Sequence, residues 1–289
     1  MTETDPVSGP AAAGKPVAAG NSNLILRIVS AAVLAPIAIG TAYTGGWPFA
    51  VFWCLAAIAV LWEWITLVAG PGHRLMLSSC ASAIAVSALM AERGRPIAAI
   101  MLVGLGALAA AVFAADGKRL WITCGIGYAG ALLLAPMLLR ADDTYGLVAI
   151  ILLFAIVWTT DICGYFAGRA FGGPKLMPAI SPKKTWSGAI AGTLGAMIVA
   201  VLAAAFIGSF NSLAIAGVAL LLSVMSQLGD LLESWVKRQF GAKDASHIIP
   251  GHGGVMDRLD GFWAAALVGC AIGLLRGGFD DPARGLLIW

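Results

Sequence analysis

The ionisable residues of this hydrophobic chain are concentrated in one stretch near its C-terminus. The chain has 18 Lys and Arg residues and 15 Asp and Glu residues, and nine of these charged residues fall between positions 230 and 260. Asp230, Glu233, Ser234 and Lys237 have the spacing i, i+3, i+4 and i+7, which places them on one face of a predicted helix. A carboxylate about two turns inside a membrane helix costs at least ~2.5 kcal/mol. We therefore expect a divalent cation or Lys237 to compensate Asp230, with a plain ion pair at a helix end as the alternative.

The sequence Pro-Gly-His-Gly-Gly at 250–254 leads into two further acids, Asp257 and Asp260, at the start of the last apolar span. A helix N-terminus carries free N–H groups and partial positive charge, which suit carboxylates and phosphates alike. Gly253 and Gly254 permit close backbone approach to a polyphosphate. Acidic capping of the helix and a simple flexible turn are the alternatives.

A second polar stretch precedes the seventh apolar span. Asp161 lies about two turns inside the sixth span, at nearly the depth of Asp230. Cations and hydroxyl groups follow it, namely Arg169, Lys175, Lys183, Lys184, Ser181, Thr185 and Ser187. Cations beside a helix start suit a phosphorylated ligand, whereas lysines that only contact anionic headgroups are the alternative. The matched depth of the two carboxylates favours a site.

This set of residue types indicates chemistry at phosphorus. Aspartate oxygens suit Mg²⁺ rather than zinc, and the five cysteines are scattered singly, without a metal-binding pattern. Reactions at phosphorus need positioning, metal ions and cationic side chains more than covalent chemistry from the protein. A water-soluble nucleotide could enter from the cytosol while a lipid phosphate arrives from the bilayer.

Composition predicts an all-α, polytopic integral membrane protein. The mean hydropathy is +0.90 and 60% of the residues are hydrophobic, and backbone polar groups in lipid must be satisfied within helices or closed barrels. The ~10-residue alternating segments of a membrane barrel do not occur, and a net charge of +3 is too small to indicate nucleic-acid binding. We predict nine spans, at 24–43, 47–69, 74–91, 96–115, 119–139, 145–168, 187–208, 212–236 and 259–276.

The spans divide into a disordered N-terminal tail (1–22), N-terminal transmembrane helices (23–145) and a catalytic region (146–289). The loops at 169–186 and 237–258 emerge on the same face because spans seven and eight form a hairpin. With a cytoplasmic N-terminus, that face carries 13 of the 18 Lys and Arg residues, which predicts a multi-pass protein of the cell (plasma or inner) membrane with a cytoplasmic active face.

From Ser234 to Asp260 the chain resembles the phosphatidate cytidylyltransferase (CDP-diacylglycerol synthase) family. The matching positions are Ser234, Lys237, Arg238, Lys243, Asp244, Pro250, His252, Gly253, Gly254, Asp257, Arg258 and Asp260. The upstream positions Asp161, Arg169, Ser181, Lys183, Lys184 and Thr185 also match. Ser187 departs from the family, which often has Glu there.

The resemblance implies Mg²⁺-dependent transfer of a cytidylyl group from CTP to phosphatidate, giving CDP-diacylglycerol and pyrophosphate. It implies Asp230 and Asp257 as metal ligands, with Asp161 and Asp260 as further ligands or hydrogen-bond acceptors. The implied catalytic residues are Asp230, Asp257, Lys237, Arg238 and Asp260. The implied substrate-binding residues are Ser181, Lys183, Lys184, Thr185, Ser234, Lys243, His252, Gly253, Gly254 and Arg258.

Other functions are weighed against this one. A CDP-alcohol phosphotransferase would carry a denser Asp pattern, a lipid kinase also places Asp near a cytosolic face, and a transporter would show inverted repeats. The sequence leaves open the acyl-chain preference, the choice of CTP over dCTP, the number of metal ions, formation of a homodimer, and the role of Glu63 in the second span.

Overall fold

Helices form almost all of the computed structural model, which describes residues 19–70, 73–114, 117–208, 210–250 and 253–289. The helices are α1 (Ala19–Thr44), α2 (Gly46–Ala69), α3 (Arg74–Glu92), α4 (Pro96–Phe113), α5 (Arg119–Arg140), α6 (Gly146–Phe171), α7 (Trp186–Ile207), α8 (Ser212–Gln239), α9 (Met256–Gly277) and α10 (Pro282–Leu287). Strands β1 (Lys175–Met177) and β2 (Ser181–Thr185) form an antiparallel hairpin between α6 and α7.

Eight of these helices, α2 to α9, are long and apolar enough to cross a membrane. They correspond to the second to ninth predicted spans, and the first span falls in α1, whose described apolar part is Val29–Thr44. The prediction of an all-α, multi-pass membrane protein is therefore confirmed. Residues 19–22, assigned to the tail, belong to α1, and the rest of the predicted tail lies outside the described residues. The β hairpin was not predicted.

Helix α5 lies at the centre of the bundle. In the 18-residue apolar stretch of α5, 78% is buried, against 11% in that of α4. Helix α5 packs on α2, α4 and α9. Stacked aromatic rings join the first half of the chain to α9: the Trp53 and Phe262 centroids are 4.8 Å apart, and those of Tyr128 and Trp263 are 4.2 Å apart. The helices of 23–145 and those of 146–289 thus share one core.

The ends of α6, α7 and α8 are set by local signals. Gly172 and Gly173 take φ values of 60° and 98° after α6, a left-handed conformation that glycine adopts readily and that turns the chain into the hairpin. Thr185 caps α7 by accepting the N–H of Gly188 at 3.2 Å, and the Asn211 side chain accepts two N–H groups at the start of α8.

Candidate active site

A cavity of about 580 Å³ lies between α6, α7, α8 and the β hairpin. This volume falls within the range of small-molecule sites, about 300–1,000 Å³. The lining residues that carry charge or a side-chain hydroxyl or amide group are Thr160, Asp161, Tyr165, Arg169, Lys183, Lys184, Thr185, Gln227 and Asp230. The remainder of the wall includes glycines from α6 and α7.

Two carboxylates from different helices face this cavity. Asp161 comes from α6 and Asp230 from α8, so these two acids, which the sequence predicted to share a site, line one cavity. Asp260, from α9, is electrostatically coupled to both. The positive charges of Lys184 and Arg258 attract the Asp161 carboxylate, whereas the negative charge of Asp230 repels it. The negative charges of Asp161, Asp230 and Asp260 therefore repel one another, although Asp260 does not line the cavity.

The hairpin brings basic residues to the same cavity. Lys184 Nζ forms an ion pair with Asp230 Oδ2, and Lys183 and Arg169 line the wall. The sequence offered a divalent cation or Lys237 to compensate Asp230. The Lys237 alternative was wrong, because Lys237 contacts Glu233 and Asp257 and the hairpin supplies Lys184 to Asp230 instead. Ser234 Oγ completes the surroundings of Asp230, donating to Oδ1 at 3.4 Å.

Glycine residues let α6 and α7 approach closely beneath the cavity. A Cβ at Gly188 would lie 2.7 Å from the carbonyl oxygen of Gly164, and one at Gly168 would lie 2.9 Å from Thr185 Oγ1. Below them, Thr160 Oγ1 and Ser223 Oγ are 2.8 Å apart. Thr193 Oγ1 extends this network by accepting from Ser223 and from Gln227. This buried polar network, which the sequence did not suggest, ties the three helices together.

Ser187 also acts at the base of the hairpin. Its hydroxyl donates to the Gly172 carbonyl oxygen and lies 3.0 Å from Thr185 Oγ1. The departure from the family at this position thus coincides with a contact that fixes the two ends of the hairpin segment.

A second cluster of charges lies between α8 and α9. Lys237 Nζ is 2.6 Å from Glu233 Oε2 and 2.5 Å from Asp257 Oδ1, and all three side chains are almost completely shielded from solvent. Asp257 Oδ2 also accepts the N–H groups of Gly254 at 2.7 Å and Ala245 at 3.0 Å. Lys237 therefore lies between two acids and is shared by them. Asp257 holds the loop before α9 at Ala245 and at Gly254.

Glu63 fastens the same loop from α2. Its carboxylate, fully buried, accepts the N–H of Val255 at 2.8 Å and of Met256 at 2.7 Å. The Ser246 hydroxyl donates to it at 2.5 Å. This residue was left unexplained by the sequence, where the only signal was an acid within an apolar span.

The remaining predicted residues are distributed around these two clusters. Arg238 donates to the Ala242 carbonyl oxygen at 2.8 Å, and Lys243 is exposed. Ser181 begins β2 beside the cavity-lining lysines. His252 lies outside the described residues. Among the described residues of 237–258, none lines the cavity, so the described part of the second loop is not part of the cavity wall.

The fit of a divalent cation differs between the two groups of acids. Asp161 and Asp230 present the oxygen donors that Mg²⁺ prefers to a shared cavity, so these residues fit. Asp257, as placed, is occupied by Lys237 and by backbone N–H groups. Within the described ranges, no three His, Cys, Asp or Glu side chains are grouped as metal ligands. The prediction of Asp257 as a ligand stays a prediction.

Comparison with known proteins identifies relatives along most of the chain. A model described as the cytidylyltransferase family matches residues 25–274. A phosphatidate cytidylyltransferase of Brucella suis biovar 1 (strain 1330) is 42% identical over 267 residues, which cover 91% of this chain and 97% of the relative. One of Brucella abortus biovar 1 (strain 9-941) is 44% identical over 250 residues, covering 85% and 91%. One of Rickettsia felis is 46% identical over 119 residues, 38% of this chain and 52% of the relative.

Proposed function

The chain belongs to the cytidylyltransferase family and is a nucleotidyltransferase, and on that premise we propose that it transfers a cytidylyl group from CTP to phosphatidate. The products would be CDP-diacylglycerol and pyrophosphate, which serve phospholipid biosynthesis. The names of the relatives support this reaction, and the polar lining of the cavity between α6, α7 and α8 supports that cavity as the proposed site.

The observation that supports this place most strongly is the meeting of acids and cations at one cavity. Asp161 and Asp230 line the same cavity as Lys183, Lys184 and Arg169. Such a mixture suits a triphosphate with a divalent cation, because the cations bind phosphate oxygens while the acids hold the metal. The volume of about 580 Å³ is sufficient for a nucleotide.

The bilayer side of the site suits a lipid substrate. Tyr165, from α6, lines the cavity and is 60% exposed, and its neighbour Phe166 is 65% exposed. Trp186, at the start of α7, is also exposed. Aromatic side chains at the end of a span are typical of the membrane interface. A lipid phosphate can therefore reach the cavity while its acyl chains remain in the bilayer.

In the proposed reaction an anionic phosphate oxygen of phosphatidate attacks the α-phosphorus of CTP. A P–O bond forms there, and the bond from the α-phosphorus to the α,β-bridging oxygen breaks, with its electron pair leaving on pyrophosphate. Because the attacking oxygen is already anionic near neutral pH, no general base is required. Lys183, Lys184 and Arg169 would stabilise the charge that develops on the phosphate oxygens.

We propose Mg²⁺ as the cofactor, held by Asp230 and Asp161 with Asp260 nearby. Bound there, the ion would neutralise triphosphate oxygens and favour departure of pyrophosphate. Lys237, paired with Glu233 and Asp257, would keep the start of α9 in place. The enrichment of Lys and Arg in the tail and even-numbered loops supports a cytoplasmic active face at the inner membrane.

The experiment that tests the proposal uses the full chain purified in detergent. It receives CTP labelled in the cytosine ring, phosphatidate and Mg²⁺, and lipid and aqueous phases are analysed separately. We expect label in a liponucleotide together with an equal amount of pyrophosphate. Transfer of label from γ-labelled CTP into lipid would instead identify a kinase, and absence of both lipid label and pyrophosphate would refute the proposal.

A further inference from the structure

Glu63 is a buried acid of α2 whose contacts all lie near the start of α9. It lies six residues before α2 ends at Ala69, which is about 9 Å along the helix axis. An acid at this depth is expensive unless it is paired. Its partners are the N–H groups of Val255 and Met256 and the Ser246 hydroxyl. These three hydrogen bonds offset the cost of burying the carboxylate.

The N–H groups at this helix start are thereby used within the chain. Glu63 accepts those of Val255 and Met256, and Asp257 accepts that of Gly254. A phosphate would have to displace one of these carboxylates to bind the same groups. The glycine at 254 has a matching explanation, because a Cβ there would lie 2.6 Å from Glu63 Oε1.

The start of α9 determines where its acids lie. Asp257 and Asp260 follow Met256 by one and four residues, and Asp260 is electrostatically coupled to Asp161 and Asp230. Glu63 belongs to the first half of the chain, 183 residues from Ser246. It therefore provides a direct polar link from α2 to the segment that places acids beside the cavity.

We infer that Glu63 is a positioning residue, whose carboxylate holds Ser246 and the start of α9 at Val255 and Met256 and thereby keeps Asp257 and Asp260 in place for the reaction. The inference rests on the proposed function for its kinetic consequence. Its structural consequence, restraint of the chain at Ser246 and at Val255 and Met256, is independent of turnover.

The test compares Glu63→Gln with Asp142→Asn in the full chain in detergent. Glutamine keeps the size of the side chain but turns one acceptor into a donor, so the N–H of Val255 or Met256 loses its acceptor. Asp142 is a matched control: it is a buried acid that accepts the N–H groups of Thr144, Tyr145 and Arg284 at the opposite end of α6.

Hydrogen exchange and steady-state kinetics are measured on each variant. For Glu63→Gln we expect exchange over 253–257 to rise by about tenfold or more and the KM for CTP to rise several-fold. For Asp142→Asn we expect faster exchange only around 144–146 and at Arg284, whose N–H groups Asp142 accepts, and an unchanged KM. A purely structural role of Glu63 would reduce the active fraction and leave KM unchanged.

Wild-type exchange over 253–257 in Glu63→Gln would overturn the inference, as would an equal rise in KM in both variants. If Glu63→Gln does not fold, Ser246→Ala decides the question: it should speed exchange over 245–249 and raise KM in the same direction, and wild-type values of both would overturn the inference. Exchange requires no turnover, so a wild-type chain that made no liponucleotide would refute the proposed function alone.

Discussion

Lys184 of the β hairpin forms an ion pair with Asp230 of α8 at the wall of the cavity. This pair joins a short connection that the sequence shows only as a polar loop to an acid within a membrane span. In the proposed reaction a phosphate would compete with Asp230 for Lys184, and a divalent ion would compete with Lys184 for Asp230.

Lys184→Ala should lower kcat/KM for CTP by about 10–100-fold, because a charge-assisted contact worth about 1.5–3 kcal/mol is lost at the phosphates. The measurement is initial-rate kinetics at saturating phosphatidate. Lys118→Ala is the control: this exposed lysine donates to the Ala69 carbonyl oxygen at the end of α2 and does not line the cavity, so its loss should leave kcat/KM unchanged. Equal values for the two variants would contradict a role for Lys184.

Asp161→Asn should weaken binding of Mn²⁺, used as a substitute for Mg²⁺, by at least about tenfold, the lower limit typical of altering even an outer partner of a metal ligand. Electron paramagnetic resonance of titrated Mn²⁺ measures this without turnover. Asp143→Asn, an exposed acid before the start of α6, should bind Mn²⁺ as the wild type does. Unchanged affinity in Asp161→Asn would remove Asp161 from the proposed metal site.

Lys237→Met should destabilise the protein by about 3–5 kcal/mol, since it leaves the buried Glu233 and Asp257 without their shared cation. Adding Glu233→Gln should recover part of this loss, because Asp257 retains the N–H groups of Ala245 and Gly254. Thermal unfolding in detergent should rank the wild type above the double variant and the double variant above Lys237→Met. A double variant less stable than Lys237→Met would contradict the three-residue arrangement.

Gly188→Ala should separate α6 from α7, because the new Cβ would lie 2.7 Å from the Gly164 carbonyl oxygen. Overpacking of this kind costs about 1–3 kcal/mol, and we expect lower thermal stability together with reduced turnover. Gly217→Ala in α8 is the matched control, since its Cβ would meet nothing within 4 Å. Equal thermal stability and turnover in the two variants would contradict a role for the close helix approach at Gly188 in shaping the cavity.

The sequence predicted the helices well because crossing a bilayer requires long apolar runs, and hydropathy is a property of consecutive residues. It also predicted that Asp161, Asp230 and the lysines before α7 belong to one site; the structure places these residues at one cavity, and their role there stays a prediction. It did not predict the β hairpin: the strands are three and five residues long, and nothing in their composition separates them from a polar loop.

The sequence by itself determined that this is a multi-pass helical membrane protein of the cytidylyltransferase family, and which polar residues its spans carry. Only the tertiary structure decided which of them meet: Asp230 with Lys184, Asp257 with Lys237, and Glu63 with the start of α9. The physical reason is that each pairing depends on the rotation and depth of one helix against another. These are fixed by packing across the whole bundle, including glycines that admit a neighbouring backbone, and local spacing along the chain does not specify them.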